Sequence, residues 1–246
     1  MFRGSWFAFI VAVGALLSAN SGPLAHAQNV GGVFGPEITP NSRAAEVRFA
    51  FAPSSDGRPD RFTSRLHYQQ TITDSIRLRG VVQGADTNTS DFDFDLVQFE
   101  AQWQFIEDED RGWDSALRLD IQIADDRPDL IALNWTSDVP LSEKVFVRGI
   151  AQGGFQVGDN RADGIFLQSR FGLNYKTEPG YTLQVQVFNF WGTTSDFQDL
   201  NDQNHSIGPA VSGPLGDKWS FEASTLFGLT DATSDVDLRL FVVRKF

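Results

Sequence analysis

A period-two alternation of apolar and polar residues, repeated in long segments, constrains this chain more than any other feature. In residues 117–123, leucine and isoleucine alternate with arginine, aspartate and glutamine, and residues 167–175 and 219–227 show the same pattern. Successive side chains of a β-strand point to opposite faces, so each segment is predicted to be a strand with one apolar and one polar face. Clusters of Asp, Asn, Gly and Pro separate the segments and predict turns.

Twelve such segments are predicted. They span approximately residues 45–53, 61–72, 75–84, 92–106, 112–124, 128–137, 143–154, 163–177, 180–191, 203–213, 216–229 and 234–246. Most are longer than the roughly 5–6 residues of an average soluble strand and match the roughly 9–11 residues of a tilted membrane strand.

A soluble β-sandwich would also alternate, but its dry core would not tolerate unpaired Arg and Gln on the inward face. We therefore predict an all-β fold, a single transmembrane antiparallel β-barrel of twelve strands, with ten or fourteen strands as the alternatives. After the N-terminal segment, no apolar stretch approaches the roughly 18–20 residues of a membrane helix.

The first 27 residues have the pattern of a secretory signal peptide. Arg3 precedes a short apolar run, residues 6–17, and the segment ends in Ala25-His26-Ala27, a small-x-small cleavage pattern. The predicted organisation is a signal peptide at 1–27, a periplasmic lead at 28–44 and an outer-membrane barrel at 45–246. The chain is predicted to leave the cytoplasm by the Sec pathway and to reach the cell outer membrane.

Charge and cysteine content exclude several classes of function. Removing residues 1–27 removes one cation and no acid, which changes the formal net charge from −12 to −13. Nucleic acid is a poor partner for such an acidic chain. The absence of cysteine excludes disulfides, zinc-thiolate sites and thiol catalysis.

Aromatic residues predict the orientation of the barrel. If both termini lie in the periplasm, most Trp and Tyr residues fall toward periplasmic strand ends, where barrels place an interfacial aromatic girdle. The predicted girdle consists of Trp103, Trp113, Trp135, Tyr175, Tyr181 and Trp219.

The C-terminal residues 236–246 resemble the last strand of Gram-negative outer-membrane barrels, in which a terminal aromatic and alternating apolar residues are read by the assembly machinery. Leu238, Leu240, Val242 and Phe246 carry this resemblance, whereas Arg244 stands where the pattern usually has an aromatic or apolar residue. The resemblance implies outer-membrane lipid and the barrel-assembly machinery as partners.

More loosely, residues from about 206 onward are similar to the outer-membrane transporters named after the MetA pathway of phenol degradation. Ile207-Gly208-Pro209, the Leu215 to Lys218 turn and the Phe227 to Asp231 run carry this similarity. It covers about forty residues, and no binding or catalytic motif is transferred from it.

The predicted polar face supplies a candidate lumen. Its charged residues are open to two interpretations, a cationic path for solutes or a salt-bridged lattice that fills the barrel. Its glutamines suit neutral polar solutes, although any aqueous lumen needs polar residues. The predicted lumen-lining residues are Arg48, Arg65, Arg77, Arg79, Glu100, Arg118, Asp120, Arg148, Arg170, Gln184, Gln186, Glu222 and Arg239.

Catalysis has little support in the sequence. A lipid hydrolase needs a serine within hydrogen-bond reach of a histidine, but His205 and Ser206 are strand neighbours that point to opposite faces. No metal-ligand spacing, phosphate loop or dinucleotide motif is present, so neither cofactor nor metal is predicted. The acidic outward loops are read as a solvated rim rather than a calcium site.

Three functional classes follow. The first is a channel or small-solute transporter with a polar lumen, and a small polar solute would be its cargo. The second is a structural or surface-interaction barrel with a plugged lumen. The third is an outer-membrane lipid-modifying enzyme.

Overall fold

In the computed structural model, the described residues are 30–55, 58–87, 90–108 and 112–246, so the predicted signal peptide lies outside them. Within this part of the chain there are twelve strands. They are β1 Arg43–Ala52, β2 Arg61–Thr73, β3 Ile76–Thr87, β4 Ser90–Asp108, β5 Trp113–Ala124, β6 Asp129–Pro140, β7 Val145–Val157, β8 Phe166–Lys176, β9 Thr182–Thr193, β10 Asn204–Pro214, β11 Trp219–Gly228 and β12 Val236–Lys245.

The strands form one closed antiparallel barrel. Each strand pairs with its neighbours in the chain, and β12 returns to pair with β1, where Val47 lies opposite Val242. Closure leaves no free sheet edge, so the strand backbone is hydrogen-bonded without help from solvent. The prediction of a twelve-stranded antiparallel barrel is confirmed, in preference to ten or fourteen strands.

The two faces of the barrel wall have opposite polarity. Phe99 and Leu133 on the outer face are 57% and 52% exposed, whereas Gln98 and Gln186 on the inner face are 2% and 0% exposed. This is the reverse of a soluble protein, and it matches the apolar-out, polar-in pattern of transmembrane barrels. Among the described residues, no helix has the length and apolar character needed to cross a membrane.

The two ends of the barrel differ in their connections. The links β2–β3, β4–β5, β6–β7, β8–β9 and β10–β11 are short, and they lie at the end where β1 begins and β12 ends. All six predicted girdle side chains are exposed on the outer face. Each lies toward this same end, as Trp103 opposite Ile76 and Trp219 opposite Arg244 illustrate.

The last strand accommodates its unusual arginine on the outer face. Leu238 and Leu240 point outward from β12, as does the exposed terminal Phe246. The Arg244 guanidinium carbon lies 5.5 Å from the centroid of the Trp219 ring and 5.2 Å from that of Phe246. Such cation–π contacts suit a cation at an interfacial aromatic belt, which explains how Arg244 fits a position that is usually apolar.

Leu119, midway along β5, provides a test of the outer face. We expect Leu119→Arg to lower the free energy of unfolding in phospholipid vesicles by ~2–4 kcal/mol, because it places a cation at the hydrocarbon midplane. Urea titration followed by tryptophan fluorescence measures this change. The control Leu141→Arg lies in the exposed β6–β7 turn and should change stability little. Equal effects of the two substitutions would contradict a lipid-facing wall.

Candidate functional site

Residues 30–38, here called the inner segment, lie inside the barrel. Val30, Val33 and Ile38 are almost fully buried, and Val33 packs with Ile150 and Phe188 in an apolar cluster on the inner wall. The sequence predicts a periplasmic lead over residues 28–44, and it carries no signal that residues 30–38 of this stretch lie within the barrel. The inner segment therefore contributes to the candidate site together with the strands.

Arginines on four strands donate to four consecutive carbonyls of the inner segment. The donors come from the neighbouring strands β1 and β12 and from the neighbouring strands β7 and β8, so they reach the segment from two separate parts of the wall. The contacts are Arg48 Nη1 to Val30 O at 3.2 Å, Arg239 Nη2 to Gly31 O, Arg170 Nη1 to Gly32 O at 3.1 Å and Arg148 Nη1 to Val33 O at 3.4 Å.

Uncharged side chains continue this pattern along the rest of the inner segment. Thr136 Oγ1 donates to the carbonyl of Phe34 at 3.0 Å. Gln102 Nε2 donates to the carbonyls of residues 35 and 36 at 3.1 and 3.0 Å, and Gln104 Oε1 accepts from the Ile38 amide at 2.7 Å. The inner segment has no strand partner of its own, so these side chains satisfy backbone groups that would otherwise be buried without partners.

Two glycines allow the close approach between the inner segment and its arginines. A Cβ added at Gly35 would lie 2.6 Å from Arg148 Nη2, and one added at Gly31 would lie 2.9 Å from Arg170 Nη1. Arg148 has little freedom to retreat, because Asp138 binds its guanidinium through two hydrogen bonds of 2.7 and 2.6 Å. A side chain at position 35 would therefore collide with a fixed group.

Several predicted lumen residues form a buried ionic cluster. Arg118 forms two hydrogen bonds of 2.7 Å with Asp120, and Glu100 lies 3.3 Å from Arg118 and 3.1 Å from Arg79. The Arg118 guanidinium also stacks on the ring of Phe34, with its carbon 3.6 Å from the ring centroid. This part of the interior has the character of the salt-bridged lattice, and it also holds the inner segment.

Other interior arginines are not neutralised by a nearby carboxylate among the described residues. Among the described residues, Arg65, Arg77 and Arg170 have no carboxylate oxygen within ion-pair distance, while the closest to Arg239 is Glu222 Oε1 at 4.0 Å. Arg77 donates to Gln102 at 2.8 Å and Arg65 donates to Gln83. The interior thus combines a paired region with unpaired cations.

The predicted amides Gln184 and Gln186 lie on β9 and belong to a separate polar network. Gln186 Nε2 donates to Gln184 Oε1 at 2.8 Å and to Glu222 Oε1 at 3.0 Å. Gln184 in turn donates to Ser212 Oγ at 3.1 Å. Neither glutamine bonds to the inner segment in the described hydrogen bonds, so they belong to the wall itself.

Little open space remains beside the inner segment. One cavity, between Gly31, Gly32 and Phe34 and the inner wall of β1 to β8, has a volume of about 30 Å³. Such a volume holds one or two water molecules but no larger solute. At this cavity the inner segment leaves room for water and not for a larger solute.

The histidines do not form a hydrolytic site in the described residues. The ring nitrogens of His205 lie 2.9 Å from Asn189 Oδ1 and 2.8 Å from Gln203 Oε1, so no serine occupies the position of a nucleophile. His67 is buried and neither of its ring nitrogens has a hydrogen-bond partner. The described residues contain no group of three potential metal-ligating side chains.

Solved structures show where this architecture recurs. No family model and no curated protein matches the chain. An outer-membrane channel from Pseudomonas putida F1 superimposes with a TM-score of 0.71 at 12% identity, covering 86% of this chain and 98% of that chain. The KdgM porin, in complex with disordered oligogalacturonate, gives 0.62 at 9% identity, covering 82% and 99%.

The NanC porin gives a TM-score of 0.61 at 10% identity, covering 82% of this chain and 100% of that chain. At these identities the likeness shows a shared barrel fold. The similarity to the MetA-pathway transporters stays a prediction.

Gly35→Val tests the fit of the inner segment. The new side chain would collide with Arg148, and overpacking of this kind costs ~1–3 kcal/mol. Since the chain has no cysteine, Val33→Cys can report exposure of the segment to a maleimide reagent. We expect Gly35→Val to increase the labelling rate on the order of tenfold, since ~1.4 kcal/mol corresponds to a tenfold change.

Thr39→Val is the matched control, because the side chain of Thr39 is exposed. It should leave the labelling rate unchanged. An unchanged rate in Gly35→Val as well would show that the segment does not depend on the close contact at Gly35.

Proposed function

We propose that the chain is an outer-membrane channel for small polar solutes and that the inner segment holds it closed. The observation that carries this proposal is the arrangement of the inner segment, which lies in a polar interior and is held there, among the described residues, by side-chain hydrogen bonds and side-chain packing rather than by strand pairing. A segment attached in this way can leave without breaking any pairing between strands. The architecture that it closes is one that outer-membrane channels and porins share.

The location is part of the proposal. The exposed apolar face of the wall, the aromatic side chains at the short-turn end and the signal-peptide pattern of residues 1–27 all support insertion into the outer membrane after Sec export. The C-terminal residues Leu238, Leu240, Val242 and Phe246 support recognition by the barrel-assembly machinery. Outer-membrane lipid would then contact the apolar face directly.

The predicted lumen residues have different roles in this proposal. Arg48, Arg148, Arg170 and Arg239 bind the inner segment in the closed state. In the open state the same guanidinium groups would line the path of a solute, together with the amides of the wall. Arginine keeps its charge at physiological pH, so the open lumen would favour anions.

A permanently plugged structural or surface-interaction barrel is the second candidate. The closed interior, with a cavity of about 30 Å³, favours it directly. The two candidates differ in whether the inner segment ever leaves the lumen. A lipid-modifying enzyme is not proposed, because both ring nitrogens of His205 are engaged by amides.

Deletion of residues 30–38 separates the two candidates. We expect the full-length barrel to show rare, brief conductance steps in planar bilayers, and the deletion variant to show a continuously open pore, because the deletion removes the material that fills the lumen. Single-channel recording measures both. Heat-modifiable gel migration should establish that the variant has folded. A folded deletion variant without discrete conductance would exclude the channel function and favour the structural barrel.

Ion selectivity of the open pore gives a separate test. In the deletion variant under a salt gradient, we expect a reversal potential that indicates a preference for anions. Arg170→Gln together with Arg239→Gln should move it toward the nonselective value, since neither arginine has a close carboxylate partner among the described residues. High salt should weaken the preference by screening. A reversal potential that the double substitution leaves unchanged would exclude these arginines as the source of selectivity.

A further inference from the structure

Three buried arginines near the inner segment lack a close anionic partner. Arg65, Arg170 and Arg239 are all at least nine-tenths buried. Among the described residues, no carboxylate oxygen comes closer to any of them than the 4.0 Å between Arg239 and Glu222. A buried cation without a counter-ion is costly unless its hydrogen-bonding groups find partners.

Their hydrogen-bonding capacity is only partly used. Among the described residues, Arg65 Nη2 is buried without a hydrogen-bond partner, and so are Nε and Nη1 of Arg239. The bonds that Arg170 and Arg239 do form include the carbonyls of Gly32 and Gly31. Both of these acceptors are neutral.

The three arginines converge on one region of the interior. Arg65 and Arg170 line the small cavity beside Gly31 and Gly32. The guanidinium carbons of Arg170 and Arg239 lie 5.7 and 4.9 Å from the centroid of the same ring, Phe188. A ligand that contacts two of these guanidinium groups would therefore meet the inner segment as well.

We propose that Arg65, Arg170 and Arg239 form a binding site for a small oxyanion, a carboxylate or phosphate group, and that the oxyanion competes with the inner segment for Arg170 and Arg239. The guanidinium fork matches the oxygens of either group, and an ionised acceptor adds a charge–charge attraction that a neutral carbonyl does not provide. The carbonyls of Gly31 and Gly32 occupy the donors in the closed state, and the anion replaces them.

The cavity is too small to hold the oxyanion while the inner segment is in place. The cavity of about 30 Å³ admits water but neither phosphate nor a solute that bears a carboxylate, so the oxyanion enters only as the inner segment withdraws. Binding and withdrawal are then linked, and each favours the other by the same free energy. This inference deepens the proposed function, because the solute itself would open the channel.

The test uses the full mature chain with Val33→Cys, in detergent micelles, and measures the rate of maleimide labelling in citrate, phosphate or chloride at equal ionic strength. We expect citrate, phosphate or both to accelerate labelling on the order of tenfold over chloride, within the usual range of coupling between sites. Acceleration by citrate alone assigns the site to carboxylates, and acceleration by phosphate alone assigns it to phosphates. Equal rates in all three salts would overturn the proposal.

Arg65→Gln locates the site, because Arg65 forms no hydrogen bond with the inner segment among the described residues. It should leave the rate in chloride unchanged and reduce the acceleration by the oxyanion. Arg161→Gln is the matched control, since it removes an exposed cation that donates to the Gly158 carbonyl at 3.3 Å, and it should keep the full acceleration. Undiminished acceleration in Arg65→Gln would refute the assignment.

Hydrogen exchange of residues 30–38 in the unsubstituted chain provides a second measurement that does not depend on the cysteine variant. The oxyanion should increase the exchange of these amides, and unchanged exchange would contradict the proposal. Neither readout needs an open pore. If the oxyanion accelerates labelling or exchange but the deletion variant shows no conductance, the binding site is supported and the channel is refuted. If the deletion variant conducts but the oxyanion has no effect, the channel is supported and the binding site is refuted.

Discussion

Pairing between the first and last strands is the constraint on which the rest of the structure depends. β1 and β12 are joined from Ala44 opposite Lys245 to Phe51 opposite Leu238, so the sheet has no edge. Only such closure lets strands present an apolar face to hydrocarbon, because every strand must find backbone partners on both sides. Closure also forces the polar face of every strand inward, and it thereby concentrates the charged side chains in one narrow space.

Buried arginines in this space need negatively polarised partners, and they find them in two ways. Where carboxylates are within reach, as at Arg118, Asp120 and Glu100, the cations are neutralised by ion pairs. Where carboxylates are absent or distant, as at Arg170 and Arg239, main-chain carbonyls of the inner segment act as acceptors. Carbonyl dipoles stabilise a buried cation less than a carboxylate does, so the segment is held by interactions that a stronger acceptor can replace.

The inner segment and the barrel wall are separate structural elements. Among the described residues, the contacts between the wall and the segment are made by side chains of the wall, so the strands do not need the segment in order to stay paired. Glycines at 31 and 35 allow the backbone of the segment to approach the arginines closely. The segment therefore fits tightly against the wall without being a strand of the sheet. The proposal of a closed channel rests on this combination of a segment inside the barrel and a polar inner wall.

The sequence by itself determined the strands and the direction in which their side chains point, because alternation in a strand is a local property of the backbone. This alternation predicted the strand count and the apolar outer face. It also placed Arg118, Asp120 and Gln186 on the polar face of their strands, and these side chains are buried inside the barrel. Strand ends differ by a few residues, since turns tolerate either assignment. The position of residues 30–38 had no such signal: the run Val-Gly-Gly-Val-Phe-Gly-Pro has no period, and its partners come from strands far along the chain. Which arginine meets which acceptor depends on register and closure, which arise only when all twelve strands are paired, and so only the tertiary structure decided it.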